Sequence, residues 1–264
     1  MSSKVFLITG GSSGIGLRLA EKLSVNNNHK VISFSRSREK IDRALKQMPH
    51  LEGKADFVTG DASCMADIKK LFSYLQKEYG VIHGLVNNAA ILNKGTMETI
   101  SVEEWKHTMD INLSGPYMLT KILLPLLKQA GGSAVVNISS VAGLKPGTSI
   151  AYSVSKAGLD MLTRFLAGDL APYKIRVNSI NPGLVKTNIH MDNQVVPDKI
   201  AYNTMLEKAY KRYPAGRVGE ADDIASMAEY LLSEKAAWIT GSIIPVDGGI
   251  MVENDLIPPK ENHQ

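Results

Sequence analysis

Tyr152 and Lys156 stand four residues apart, one turn of a helix, so their side chains share a face. A free phenol, with a pKa of about 10, trades protons poorly at neutral pH. An ammonium beside it favours the phenolate and makes the phenol a better acid, which suits proton exchange with a carbonyl oxygen. Far upstream, Thr9-Gly10-Gly11-Ser12-Ser13-Gly14-Ile15-Gly16 joins the apolar run Val5-Phe6-Leu7-Ile8 to a helical pattern beginning at Ile15. Strand, glycine turn, helix is the context in which such a motif binds phosphate. Gly10 serves the tight turn, Gly14 the approach of backbone to a pyrophosphate, and Gly16 the close packing of helix on strand. The free amides of the helix N-terminus then face the anion. The spacing is G-x-x-x-G-x-G, not the commoner G-x-G-x-x-G. A phosphate turn and an acidified phenol in one chain imply hydride transfer with a nicotinamide cofactor.

The end of the second strand reads Phe34-Ser35-Arg36-Ser37-Arg38. A carboxylate there would hold a free ribose 2′-hydroxyl, whereas an arginine accepts a 2′-phosphate. No carboxylate is present and Arg36 follows at once, so NADP is expected over NAD. Ser35, Ser37 and Arg38 offer further donors.

The elements that position these residues alternate along the chain. Residues 5–9, 31–35, 56–59, 84–87, 134–138, 176–180 and 243–246 are short runs rich in Val and Ile, as parallel strands covered on both faces should be. Between them, residues 15–23, 67–79, 105–127, 155–170 and 221–232 carry apolar residues at helical spacing. The alternation predicts βαβ units in one doubly wound α/β domain of 264 residues, with a seven-stranded parallel sheet, strand order 3-2-1-4-5-6-7, and helices on both faces. Residues 185–214 interrupt the pattern. They begin polar, pass Pro197 and become helical from Lys199 to Arg212; a substrate lid and a plain surface excursion both fit. The tail from Glu253 to Gln264, polar with Pro258-Pro259, is expected to be loosely held.

Composition narrows the classes. The net charge of +4 is spread along the chain, and aromatics, at 6%, do not interleave with the basic residues, so no nucleic-acid partner is expected. Lys208, Lys211 and Arg212, the nearest approach to a cluster, fit a wet helix face. With Cys64 the only cysteine, no disulfide framework can form, and a cytoplasmic setting is expected. Cys64 itself reads as a small filler. No run approaches a membrane span, and no signal peptide is evident. The six histidines, His29, His50, His83, His107, His190 and His263, show no metal-ligand spacing, so no metal is expected.

Several motifs in order, from Lys4 to about Gly249, identify the chain as resembling the short-chain dehydrogenase/reductase family in its single-domain branch of roughly 250 residues. They are the glycine turn, Asp61, Asn87-Asn88-Ala89-Ala90, Asn112, Ser139-Ser140, Tyr152-x-Val154-Ser155-Lys156, Asn181-Pro182-Gly183 and Asp247-Gly248-Gly249. The resemblance implies that Tyr152 is the general acid in reduction and that Lys156 holds the nicotinamide ribose and lowers the phenol pKa. It implies that Ser140 bonds the substrate oxygen and that Asn112 anchors a water in a proton relay to Lys156. The cofactor would lie along the turn, including Ser12 and Ser13. Asp61 and Ala62 would lie at adenine, Asn88 and Ala89 along the cofactor, and Pro182, Gly183, Val185 and Thr187 at the nicotinamide amide. Two departures stand out. Ala90 replaces the usual final glycine of Asn-Asn-Ala-Gly. The serine has two registers: counting 13 residues back from the tyrosine gives Ser139, whereas the run Ser140-Val141-Ala142-Gly143 gives Ser140. The local motif is the stronger register, so Ser140 is assigned.

The expected function is an NADP(H)-linked oxidoreductase acting on a ketone, aldehyde or secondary alcohol. The residues Ile91, Leu92, Leu144, Ile150, Met191, Tyr202, Met205 and Leu206 predict a mainly apolar pocket and a hydrophobic substrate. Alternatives are a 3-oxoacyl thioester reductase and a non-catalytic dinucleotide sensor. The acid–base set argues against the sensor. Long apolar helices at 105–127 and 155–170, which pair across a two-fold axis in the family, imply a homotetramer.

Overall fold

A computed structural model gives the architecture and describes residues 3–26, 29–147 and 149–252. The predicted loose tail and His263 lie outside the described residues. Seven strands form one parallel sheet in the order β3-β2-β1-β4-β5-β6-β7. They are β1 (Val5–Thr9), β2 (Lys30–Ser35), β3 (Ala55–Thr59), β4 (Gly84–Asn87), β5 (Ser133–Ile138), β6 (Ile175–Pro182) and β7 (Ile243–Val246). The doubly wound expectation holds, and the order reverses between β1 and β4. Ligands of such sheets bind in the crevice at that switch point, outside the carboxyl ends of the strands.

Side-chain alternation divides the interior into two layers. Leu7, Ile32, Leu85, Val135 and Val177 pack against α3 (Met65–Glu78) and α5 (Gly115–Gln129), through Ile68, Leu71, Leu123 and Leu127. Their neighbours Phe6, Ile8, Val31, Val86, Val136 and Ile180 pack on the other face against α1 (Gly14–Glu21) and α9 (Ala221–Leu232), through Leu19, Ile224 and Leu231. Burial of each such side chain contributes roughly 1.5–3 kcal/mol. Both faces being covered explains why the strands read as continuous apolar runs.

Two helical features differ from the expectation, and the helix expected from Lys199 is present. The predicted helix over 105–127 is two helices, α4 (Val102–Met109) and α5, joined by a π turn at Asp110–Ser114 in which the Gly115 N–H donates to the Asp110 carbonyl. Pro116 has no N–H for the Asn112 carbonyl four residues back, so regular α pairing cannot pass this point. A helix unmarked by the sequence pattern, α2 (Arg38–Gln47), follows β2; only Ile41 and Ala44 of its residues are buried. The segment 185–214 carries α7 (Ile189–Asp192) and α8 (Lys199–Tyr210). The remaining long helix is α6 (Ile150–Leu170). Among the described residues no helix is long and apolar enough to cross a membrane.

Candidate active site

The glycine turn has the conformation its residues predict. Gly10 and Gly14 adopt φ of +66° and +51°, the left-handed region that favours glycine. At Gly16 an added Cβ would stand 2.6 Å from both the Gly10 carbonyl and Asn88 Nδ2, so the helix could not sit this close with any other residue. Ser13 precedes α1 without a side-chain cap, leaving the first amides of that helix open to an anion. Thr9, a residue the sequence reading left without a role, holds the turn to its neighbour. Its Oγ1 accepts from the N–H groups of Asn88 and Ala89 at 3.0 and 2.9 Å, while Asn88 Nδ2 donates to the carbonyls of Thr9 and Gly10.

At the end of β2, Ser35 is buried and its hydroxyl has no partner. A buried unpaired polar atom on a cavity wall is costly and marks a place for a ligand atom. Arg36 lies beside it, half-exposed, its guanidinium 3.8 Å from the Asp61 carboxylate. Asp61 also accepts from the backbone and hydroxyl of Ser63. Arg38 does not join this group: it belongs to α2, where it pairs with Asp42 at 3.0 Å. Ser37 borders the cavity, but its hydroxyl caps α2 by accepting from the Lys40 N–H and donates to Glu39. Lys40 takes the place expected of Arg38. It borders the cavity and pairs at 2.6 Å with Asp192 of α7, across the opening.

Ser149 starts α6 by accepting from the Tyr152 N–H. Tyr152 and Lys156 then point into the cavity from adjacent turns. The Lys156 ammonium is 5.6 Å from the Tyr152 ring centroid and donates to the Ile138 carbonyl at 2.8 Å. Burial pushes its pKa down to about 8, opposed by the charge of Asp160. Burial raises the Tyr152 phenol, and a hydrogen bond with the Ser140 hydroxyl opposes that rise. The phenol is thus shifted upward, and the Ser140 hydroxyl moderates the rise. The two serines are distinguished by direction. Ser139 donates to the Lys156 backbone carbonyl at 3.1 Å and is buried. Ser140 accepts from the Ala142 N–H and faces Tyr152.

Asn112, in the π turn, spends its side chain on structure. Its Oδ1 accepts from the Ile91 N–H, and its Nδ2 donates to the Ile91 carbonyl and to Ser155 Oγ. Across the cavity, Pro182 ends β6, an added Cβ on Gly183 would stand 3.0 Å from the Asp247 carbonyl, and Val185 bridges to Gly219. Thr187 lies over the glycine turn, its Cγ2 3.1 Å from where a Gly14 Cβ would be. It is held there by Tyr202 of α8, whose hydroxyl accepts from the Thr187 N–H at 3.1 Å and donates to its carbonyl at 2.9 Å.

One cavity of about 450 Å³ brings these parts together. Arg38 apart, every residue expected at the cofactor or in catalysis borders it except Gly16 and Asn112, which contact its wall at Gly10 and Ile91. Of the apolar residues expected around the substrate, Ile91 and Leu92 border it. Leu144 is exposed, Leu206 packs in a small cluster with Tyr213 and Ile250, and Tyr202 anchors Thr187. Val141 and Leu184 supply apolar wall instead, with Lys145, His190 and Asn193 as polar neighbours. Cys64 is exposed, so it fills no gap in the core. Among the described residues no group of three or more His, Cys, Asp or Glu could hold a metal.

A family model described as enoyl-(acyl carrier protein) reductase matches residues 10–251. The chain is 33% identical over 255 residues to 3-oxoacyl-(acyl-carrier-protein) reductase FabG of Thermotoga maritima, covering 96% of this chain and 99% of that protein. It is 36% identical over 254 residues to human dehydrogenase/reductase SDR family member 4, covering 94% of this chain and 88% of that one. Among solved structures, ligand-free aldohexose dehydrogenase of Thermoplasma acidophilum superposes with a TM-score of 0.86 at 31% identity, covering 98% of both chains.

Proposed function

The chain belongs to the short-chain dehydrogenase/reductase family of oxidoreductases, and from that premise we propose that it is an NADP(H)-linked reductase of hydrophobic ketones or aldehydes, reversible to oxidation of the secondary alcohol. The observation that carries the reading is the Ser140–Tyr152–Lys156 cluster, its lysine buried and its serine and tyrosine half-buried, at the end of a cavity that begins at an open helix N-terminus. The residues fit the cofactor. The turn Gly10 to Ile15 would hold its pyrophosphate, Ser35 and Arg36 its 2′-phosphate, Asp61 and Ala62 its adenine, and Asn88 and Ala89 its middle. Lys156 would hold its nicotinamide ribose, and Pro182, Gly183, Val185 and Thr187 its carboxamide. The unpartnered Ser35 hydroxyl beside Arg36, with no carboxylate on β2, supports NADP.

When bound, the nicotinamide supplies the hydride. The chain supplies orientation and the proton. Ser140 donates to the carbonyl oxygen of the substrate and polarises it, while Tyr152 gives that oxygen its proton. Lys156, charged below about pH 8, sets the field in which phenolate can form. Because the Asn112 side chain is fully engaged, its part in a proton relay falls to its backbone carbonyl, which Pro116 deprives of a helical donor. The segment 185–214 serves as the lid, closed through Tyr202 and Lys40–Asp192. Exposed Tyr117 on α5 and Met161 and Phe165 on α6 fit a two-fold helix pairing within a homotetramer, and the cysteine usage fits the cytoplasm.

NADPH oxidation followed by absorbance over a panel of aromatic ketones, aliphatic aldehydes, sugars and 3-oxoacyl thioesters tests the reading. Turnover of apolar ketones above the rest supports it. Preference for a 3-oxoacyl thioester would move the function to fatty-acid chemistry, and no turnover with any carbonyl would leave a dinucleotide sensor.

A further inference from the structure

We infer that Asp160, acting through Asn181, is a positioning residue that fixes Ser140 against Tyr152. This rests on the reading of Ser140, Tyr152 and Lys156 given above. Asp160 lies one turn beyond Lys156 on α6 and is only 6% exposed. A buried carboxylate is costly unless its oxygens are satisfied. Its partners are both on β6: Ser179 Oγ donates to Oδ1 at 2.7 Å, and Asn181 Nδ2 donates to Oδ2 at 2.7 Å. The same Asn181 Nδ2 donates its other proton to the Ser140 backbone carbonyl at 2.8 Å. The carboxylate thus orients an amide, and the amide grips the residue whose hydroxyl faces the phenol.

The surroundings hold this chain of contacts in place. The turn Val141–Gly143, directly after Ser140, lies against α6. An added Cβ on Gly143 would be 3.0 Å from Asp160 Oδ2 and 2.9 Å from the Lys156 carbonyl carbon. Of the titratable groups that face Lys156, Tyr152 and Asp160 are on its own helix. The strands and turn packed against it present Ile138, Ser139, Ser140, Ser179 and Asn181, none of them charged. α4 and the π turn also pack against α6 and carry Glu103, Glu104, Lys106, His107 and Asp110; of all these charges Asp160 is the one that opposes loss of the Lys156 proton.

Two substitutions separate its two effects. In Asp160→Asn the amide can accept from Asn181 and donate to Ser179, so shape survives and charge does not. A 15N NMR titration of Lys156 should then show its midpoint lower than in the unmodified protein by about one pH unit, and the alkaline limb of kcat should move with it. Asn181→Ala keeps the charge and releases Ser140. It should lower kcat on the order of ten- to a hundredfold with the Kd of NADPH unchanged. Combined with Ser140→Ala it should cost little more than Ser140→Ala alone, because both act at one point. If the Ala variant does not fold, Asn181→Ser carries the same comparison. An unmoved Lys156 midpoint in Asp160→Asn overturns the electrostatic part, and additive losses in the double variant overturn the positioning part. The titration and the NADPH affinity need no turnover, so a protein inert toward every carbonyl would sink the proposed function without deciding this one.

Discussion

Replacing Ser35 by Asp together with Arg36 by Ile should reverse the cofactor preference. The size of the effect follows from the exposure of the cations. A hydrogen bond to a charged group contributes about 1.5–3 kcal/mol when well made, but Arg36 and Lys40 have side chains 51% and 37% exposed, so solvent screening reduces each contact toward about 1 kcal/mol. Each also has a carboxylate already near it, Asp61 for Arg36 and Asp192 for Lys40, which the phosphate must outbid. The pair together is worth about 2 kcal/mol, or roughly 30-fold in NADPH over NADH at ~1.4 kcal/mol per decade. The new aspartate would repel the phosphate and accept from the free ribose hydroxyls. The assay is kcat/KM for both cofactors in both proteins, at low salt and at about 1 M salt, where screening within ~3 Å should erode the preference. An unmodified enzyme that uses NADH as well as NADPH refutes the role of Arg36.

Tyr152→Phe keeps the ring and removes the proton donor, so kcat should fall on the order of 10³-fold or more while NADPH fluorescence still reports binding. Ser140→Ala should cost far more activity than Ser139→Ala; the reverse ranking would transfer the substrate contact to Ser139. The proposed reduction needs the Lys156 ammonium, whose pKa is lowered to about 8, so kcat should be flat below that pH and decline above it, as a pH–rate profile can show. Tyr202→Phe removes both bonds to Thr187 and should raise the Kd of NADPH, measured by titration, more than it lowers the melting temperature. Phe165→Glu, on a side chain 66% exposed, should split the proposed tetramer in light scattering; an unmodified protein that scatters as a monomer removes the assembly from the reading.

What the sequence made legible was what local pattern encodes. β1 and β4 fall where short apolar runs place them, because strands covered on both faces tolerate little else; the edge strand β7, none of whose residues is buried, was still legible from Ile243, Ile244 and Val246. The glycine turn was legible because its steric demands are local. α2 was not: only Ile41 and Ala44 are buried in a charged decapeptide, too few to set a period. That omission misdirected Arg38, whose partner Asp42 lies one turn along the helix. The π turn at Asp110–Ser114 escaped notice because the apolar spacing continues through it. Contacts between distant segments, Lys40 with Asp192 and Asn181 with Ser140, have no signature in either segment alone. The substrate wall was misjudged for the same reason, since Leu206 and Tyr202 turn to structural partners.

The alternation of side chains along the strands has a consequence for how the protein comes apart and forms. Phe6 and Ile8 belong to one apolar layer and Leu7 to the other, so each strand is a shared wall. Neither layer can melt while its neighbour stays native, and calorimetry should record one cooperative transition in which van't Hoff and calorimetric enthalpies agree. The same arrangement makes assembly slow. β1 lies mid-sheet, and its second neighbour is β4, with Phe6 against Gly84. During synthesis the amino-terminal strand therefore waits with one edge open until β4 is available. Parallel pairings of that sequence separation place a fold among the slower ones.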